Sequence, residues 1–539
     1  MKHKRAAGIL LPISSLPSRY GIGTMGKEAY AFVDFLKKAG QRYWQILPVG
    51  PTSFGDSPYQ SFSTFAGNPY FIDPELLIED GLLSRKDCES AGLEQEGSDK
   101  AYDIKKIRSS VETVGEGNNL RAKIPGMYVD YALQYEKRYP LLRKAYANFT
   151  KQGRDKTAEY KAFIKKNADW LPEYILFMAL KDENGGVPFT EWEKRLRVRK
   201  KKAIAEASKR LEKETGFYAF LQYIFFAQWA KLKAYANKNG ILIIGDIPIY
   251  VAADSADVWG DPELFQLDKE GLPAAVAGCP PDYFAKTGQL WGNPLYNWEY
   301  HKKTGYSWWI ERMRRCFMLY DVVRIDHFRG FDEYYSIPYG DETAEFGTWV
   351  KGPGLKLFDA ISASLGDLHV IAEDLGFMTK SVERMVKKSG FPNMKVLLFG
   401  FSPEGDSEYL PHNYERNCVV YSGTHDNDTA VGYFERADKD EKAFAKDYLG
   451  FKNGAHFADR LTRAALAGIA DTVIIPMQDY LGLGNEARLN LPSTLGGINW
   501  QWRMLPGQAT DELAERIRRM AFVYGRFKEP ADEKETAKE

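Results

Sequence analysis

The sequence has little that would carry it across a membrane, out of a cell or onto nucleic acid. Only four of its 539 residues are cysteine. Cys88, Cys279, Cys316 and Cys418 are scattered and form no Cys-x-x-Cys, so a reduced, cytoplasmic protein is expected rather than a disulfide framework. Net charge is absent too: 73 Lys plus Arg meet 73 Asp plus Glu, which removes the electrostatic case for nucleic acid or an anionic membrane. No stretch approaches the roughly twenty apolar residues of a membrane span. Met1 to Arg5 followed by Ala6 to Leu11 imitates a secretory leader, but Pro12 ends an apolar run that is too short, and no small-residue cleavage site follows. The run reads as a first strand. The sequons at Asn148 and Asn427 then have no glycan to receive.

What is present is aromatic and rhythmic. The chain holds 32 Tyr, 31 Phe and 12 Trp, an excess that suits stacking on flat apolar ligand faces such as sugar rings. Short apolar runs at 6–13, 43–49, 241–245, 322–325, 370–372, 396–399, 418–421 and 472–475 alternate with helical periodicity at, for example, Lys27 to Ala39 and Tyr218 to Lys238. Eight such units predict a (β/α)8 barrel of the α/β class rather than an open sheet. The expected organisation is a first part of the barrel over 1–80, a mostly helical insertion over 81–216, and barrel again over 217–246. A loop-rich lid and binding insertion follows over 247–320, then the rest of the barrel over 321–527 and a charged, disordered tail over 528–539.

Two glycine patterns imitate a dinucleotide fingerprint. Gly21-Ile-Gly-Thr-Met-Gly26 is separated from its strand by Pro12 and Pro17 and has no acid near position 46, while Gly482-Leu-Gly-Asn-Glu-Ala487 lies between Pro476 and Pro492. Neither predicts nucleotide binding. Lys194 to Lys202 packs seven basic residues into nine, but acids flank it on both sides, so a solvated helix face is expected.

The segment Asp321-Val-Val-Arg-Ile-Asp-His-Phe-Arg-Gly-Phe331 is a buried strand that ends in polar side chains. Parallel barrels place chemistry at the carboxyl ends of their strands, and three acids follow apolar runs in this way: Asp326, Glu373 and Asp426. Cleaving an acetal needs one group to protonate the leaving oxygen and another to meet the charge on the anomeric carbon, and two carboxyls of opposed protonation state can do both. Arg324 beside Asp326 would keep that carboxylate ionised, whereas Glu373 at the end of an apolar strand could start protonated. A rival design is open at this point: Asp246, Asp326 and Glu373 on consecutive strands could be magnesium ligands of an enolase-like site. So is a non-catalytic glycan-binding barrel.

Arg324-Ile-Asp-His-Phe-Arg-Gly, Ala372-Glu-Asp-Leu-Gly, Gly423-Thr-His-Asp-Asn-Asp-Thr, Pro280-Pro-Asp-Tyr-Phe and Trp291-Gly-Asn-Pro-Leu-Tyr together resemble the 4-α-glucanotransferases, the amylomaltase or disproportionating-enzyme family of the α-amylase clan. The likeness runs in order from Gly8 to Arg503. It implies transfer of a 1,4-α-glucan segment to another glucan or to glucose with retention of configuration, on maltooligosaccharides or starch- or glycogen-type glucans, with no metal and no cofactor; an amylase-like hydrolase is the alternative. Carried over by position, it implies Asp326 as nucleophile, Glu373 as acid/base and Asp426 with His425 on the hydroxyls of the reacting sugar. Tyr59, Asp246, Trp259, Asp282, Arg324, His327 and Asn499 are the further substrate contacts it implies, and the segment from Gly278 to Thr287 resembles a lid. Leu93 to Asn119 and Cys279 depart from the family pattern.

Overall fold

The computed structural model describes residues 5–53, 55–94, 113–114, 121–122, 126–281, 286–376 and 378–528. The eight expected strands form one parallel sheet: β1 (Ala6–Leu10), β2 (Tyr43–Gln45), β3 (Leu242–Pro248), β4 (Val322–Asp326), β5 (Val370–Ala372), β6 (Asn393–Val396), β7 (Cys418–Tyr421) and β8 (Thr472–Pro476). Their order is β5-β4-β3-β2-β1-β8-β7-β6. The two ends meet where Ala372 N–H donates to the Pro392 carbonyl at 3.0 Å. Asp374 stitches the same seam, accepting from Met394 N–H at 3.0 Å and Asn393 Nδ2 at 3.1 Å. The sheet is thereby a closed barrel, and its strand edges are satisfied.

The strands form where β-branched and aliphatic residues run together, and all five residues of β1 are buried, as expected for a parallel strand covered by helices on its outer side. Close packing imposes small residues: a Cβ on Gly245 in β3 would come within 2.2 Å of the Tyr320 ring. The first glycine pattern has the same kind of explanation, since a Cβ on Gly26 would strike the Asp73 carboxylate. Those glycines serve helix and loop packing.

Three boundaries differ from the sequence reading. β3 extends to Pro248, so Asp246 lies inside the strand and not at its tip. β6 ends at Val396, and Leu397–Gly400 turn into a 3-10 helix, because the chain must bend at the barrel mouth. The stretch expected to be loop-rich after β3 holds the crossover helix Ser307–Leu319 and a hairpin, Ala275–Cys279 with Gln289–Pro294. That hairpin continues into a four-stranded antiparallel sheet with Glu333–Pro338 and Thr348–Lys351.

Among the described residues, 81–216 contain the helices Arg85–Ser90, Tyr131–Lys151, Ala158–Lys166, Leu171–Glu183, Lys194–Arg197 and Lys201–Arg210. Much of the basic cluster is neutralised locally: Lys194 and Arg197 reach Glu270, Arg195 reaches Glu193 and Arg199 reaches Glu173. Most of 93–119 and of the tail, and Asp282, lie outside the described residues.

Candidate active site

The site is built on β3, β4, β5 and the turn after β7. Register places Asp246 opposite Arg324, and Ile325 opposite Ala372, so Asp326 and Glu373 are the next facing positions on adjacent strands. Strands lie about 4.8 Å apart, which brings the two carboxyls to one mouth. Arg324, 3% exposed, holds both neighbours: Nη1 lies 2.7 and 2.6 Å from the two Asp246 oxygens, and Nη2 lies 2.8 Å from Asp326 Oδ1. Burial alone would drive the proton off that guanidinium, but the two carboxylates outweigh it and hold it charged.

Asp246 is fully buried, and both its oxygens face Arg324, with Oδ2 also accepting from the Tyr59 hydroxyl at 2.9 Å. It lies two residues deeper along the strand register than the position facing Asp326. The same geometry disposes of the magnesium arrangement, because the Asp246 oxygens already face a cation and a hydroxyl.

Glu373 is 8% exposed. Its Oε2 accepts from the His327 backbone N–H at 2.6 Å and its Oε1 from Leu375 N–H at 2.7 Å. Burial, with the Asp326 charge adding to it, pushes this carboxyl up to about 8 despite those two donors and Arg324. The His327 donor is aimed by backbone strain: His327 has φ +54°, a left-handed conformation uncommon outside glycine. Its ring lies edge-on to Trp291, centroids 4.8 Å apart. Burial, then Arg329, lowers it to about 3, so the imidazole is neutral.

Asp326 also departs from the sequence expectation. Burial raises it above the ordinary carboxyl value; Arg324 pulls it down, while Asp246 and Asp426 push it up. Arg324 thus limits the rise without cancelling it. Of the two carboxyls Asp326 alone bonds the guanidinium, which favours its charged form.

Asp426 follows β7. Burial would raise it, but the His425 ring, with Nε2 at 3.3 Å from Oδ2, and Asn490 Nδ2, at 2.7 Å from Oδ1, hold it down at about 2. Burial in turn lowers His425, and Asp426 more than restores it, leaving the imidazole above its ordinary value. His425 stacks on Tyr59 at 4.9 Å and 20°, with Trp500 5.9 Å away. These three rings make an aromatic platform beside the carboxylates.

Two further expected contacts have partners within the protein. Trp259 is 1% exposed, packed on Phe177, Trp192 and the Arg199 guanidinium, with Nε1 donating to the Leu196 carbonyl; its ring has no open face. The Asn499 amide is used within its own loop, Oδ1 accepting from Leu491 N–H at 2.9 Å and Nδ2 donating to Thr494 Oγ1 at 2.9 Å. Asp282 lies outside the described residues. Asn490, Trp500 and Trp291 were missed as individual contacts. The last two were legible as Trp residues in glycine- and asparagine-rich loops, and Asn490 carried no signal.

A parallel barrel whose mouth sets a raised carboxyl beside one bonded to a guanidinium, with an aromatic platform, is the arrangement of an enzyme that works on glycosidic bonds. Residues 11–509 match the family model described as 4-alpha-glucanotransferase. Relatives of that name include one from Clostridium butyricum, 47% identical over 516 residues and covering 95% of this chain and 99% of its own length. Another, from Thermus thermophilus, is 45% identical over 535 residues, covering 98% of this chain and 100% of its own. Among solved structures, an amylomaltase from Streptococcus agalactiae in complex with acarbose is similar with a TM-score of 0.89 at 42% identity, over 97% of this chain and 100% of that one. An amylomaltase from Corynebacterium glutamicum, 18% identical with a TM-score of 0.71 over 97% and 74% of the two chains, shares the fold. The chain belongs to the 4-alpha-glucanotransferase family, whose members transfer glucan segments.

Proposed function

We propose that the protein transfers a segment of a 1,4-α-glucan to the 4-hydroxyl of an acceptor glucan or glucose, by two displacements at one anomeric carbon. The observation that carries this is the placing of Asp326 and Glu373 just beyond the paired residues Ile325 and Ala372 of adjacent strands, with the Arg324 guanidinium on Asp326 alone and Glu373 raised to about 8. Carboxyls at neighbouring positions of adjacent strands suit a retaining pair, which works at a separation of about 5–5.5 Å.

In the first step an Asp326 oxygen attacks the anomeric carbon. The bond from that carbon to the leaving O4 breaks, and its electron pair takes the Glu373 proton. A glycosyl ester on Asp326 and a shortened glucan result. Esterification removes the Asp326 charge, one of the two causes that raise Glu373, so the same step readies Glu373 to work as a base. In the second step Glu373 takes the proton of the acceptor 4-hydroxyl, the acceptor oxygen bonds the anomeric carbon, and the ester bond to Asp326 breaks. Asp426, His425 and Tyr59 would hold the hydroxyls and face of the reacting sugar.

Water in place of the acceptor would give hydrolysis. The partly exposed Tyr59 ring, stacked on His425, favours a glucan over bulk water beside the ester by offering an apolar face. Maltooligosaccharides and starch- or glycogen-type glucans fit as donors. A reducing, cytoplasmic setting fits four cysteines among which no disulfide forms, and among the described residues no helix is long and apolar enough to cross a membrane. Incubating the pure protein with maltotriose tests the reading: a ladder of longer maltooligosaccharides plus glucose is expected. Steady conversion to maltose and glucose alone would overturn transfer.

A further inference from the structure

The third carboxylate is held by a side chain that the substrate-contact reading leaves out. Arg488 is 9% exposed. Its Nη2 donates to the Asp426 carbonyl at 2.5 Å, its Nε to the Asn490 carbonyl at 2.6 Å, and its Nη1 pairs with the Asp428 carboxylate. Asn490 closes the loop of contacts: its Nδ2 donates to Asp426 Oδ1 at 2.7 Å and its backbone N–H to the His425 carbonyl at 3.0 Å. Asp428 is anchored from its far side by Arg436 at 2.7 Å. One guanidinium thus fixes both the backbone that bears Asp426 and the residue whose amide holds its carboxylate.

That matters because Asp426 is the most open of the three acids, its side chain 41% exposed against 31% for Asp326. At a mouth of this kind the carboxylate can leave by a simple χ1 rotation unless it is restrained. The restraints are the His425 ring and the Asn490 amide, and Arg488 ties down the segments carrying both. A lysine could not do the same, since an ammonium lacks the rigid fork that reaches three acceptors in fixed directions.

We propose that Arg488 is a positioning residue for the transfer reaction, setting the direction of the Asp426 carboxylate through Asn490 and the Asp426 backbone. This rests on the reading that Asp426 holds a hydroxyl of the reacting sugar, taken as the one on C2, whose hydrogen bonds strengthen in the transition state. A misplacement of about 1 Å can cost on the order of 10²-fold in rate, and the cost should depend on that hydroxyl being present.

The test compares Arg488→Lys with the parent on α-maltotriosyl fluoride and on the same donor deoxygenated at C2 of the reacting glucose, with maltose as acceptor. A loss in kcat of about thirtyfold or more is expected with the intact donor, with KM changed less than about threefold, shrinking to less than about fivefold with the deoxygenated donor. Activity within threefold of the parent, or equal losses on both donors, would overturn the proposal. Should Arg488→Lys not fold, Asp428→Asn loosens Arg488 from behind and must show a smaller loss confined to the intact donor. Asp426→Asn is the control for the underlying reading: if its loss is the same on both donors, the assignment of Asp426 to that hydroxyl fails, independently of Arg488.

Discussion

Arg324 and Asp246 form a fully buried pair across β3 and β4, the guanidinium Nη1 within 2.7 Å of both carboxylate oxygens. This pair lies beneath the reacting groups and aims the second Nη at Asp326. The orientation of the Asp326 carboxylate thereby depends on a buried ion pair beneath it.

Replacing Asp246 with Asn removes one of the two charge partners of the buried Arg324, leaving only Asp326, and sets an amide N–H₂ against it. We expect a stability loss of about 3–5 kcal/mol, seen as a lower urea midpoint. In the folded fraction kcat with maltotriose should fall on the order of 10²-fold with KM little changed, because both Asp246 oxygens face Arg324. A rise in KM at constant kcat would mean that Asp246 binds substrate after all.

The pH profile follows from Glu373. Its carboxyl must begin protonated, and its value of about 8 keeps it so at neutral pH. kcat/KM with maltotriose should therefore fall above pH 8 by about tenfold per unit. With a fluoride donor, whose leaving group needs no proton, the first step in Glu373→Gln should show no such alkaline limb. An alkaline limb that persists in that variant would assign it to another group.

The raised carboxyl also has a stability consequence. Between the ordinary value of 4.5 and about 8, the folded state retains a proton that the unfolded state has released, so stability falls as pH rises through this window. Glu373→Gln removes that penalty. The variant should melt a few degrees above the parent at pH 8, and the gap should close toward pH 5. Equal melting temperatures at pH 8 would show that the carboxyl is ionised there at little cost.

Asp326→Asn deletes the attacking oxygen while leaving the aromatic platform and His425 in place. Transfer should fall by at least about 10⁴-fold, while calorimetric binding of maltotriose persists at ordinary micromolar to millimolar strength. Loss of binding together with activity would indicate a collapsed mouth rather than a missing nucleophile.

Much of the barrel was legible in the chain because each parallel strand is a short aliphatic run closed by polar or glycine residues, as Val322 to Asp326 shows. The end of β6 was misplaced, since Leu397 to Phe399 are as apolar as a strand and only the bend at the mouth makes them a 3-10 turn. The acids at strand ends were legible for the same reason as the strands. The packing of Trp259 on Phe177 and the bonding of Asn499 to Thr494 were not, since they depend on partners far away in the chain or on how a loop closes.

The sequence by itself determined the eight strands, the placing of Asp326, Glu373 and Asp426 just beyond apolar runs, and Arg324 two residues before the first of them, because period-two patterning and chain direction are local properties. The tertiary structure decided which of these groups meet, that Asp246 is sealed below them, and that Arg488 and Asn490 restrain Asp426. Barrel closure and burial set those relations, and with them the different electrostatic settings of two carboxyls that are chemically alike in the unfolded chain.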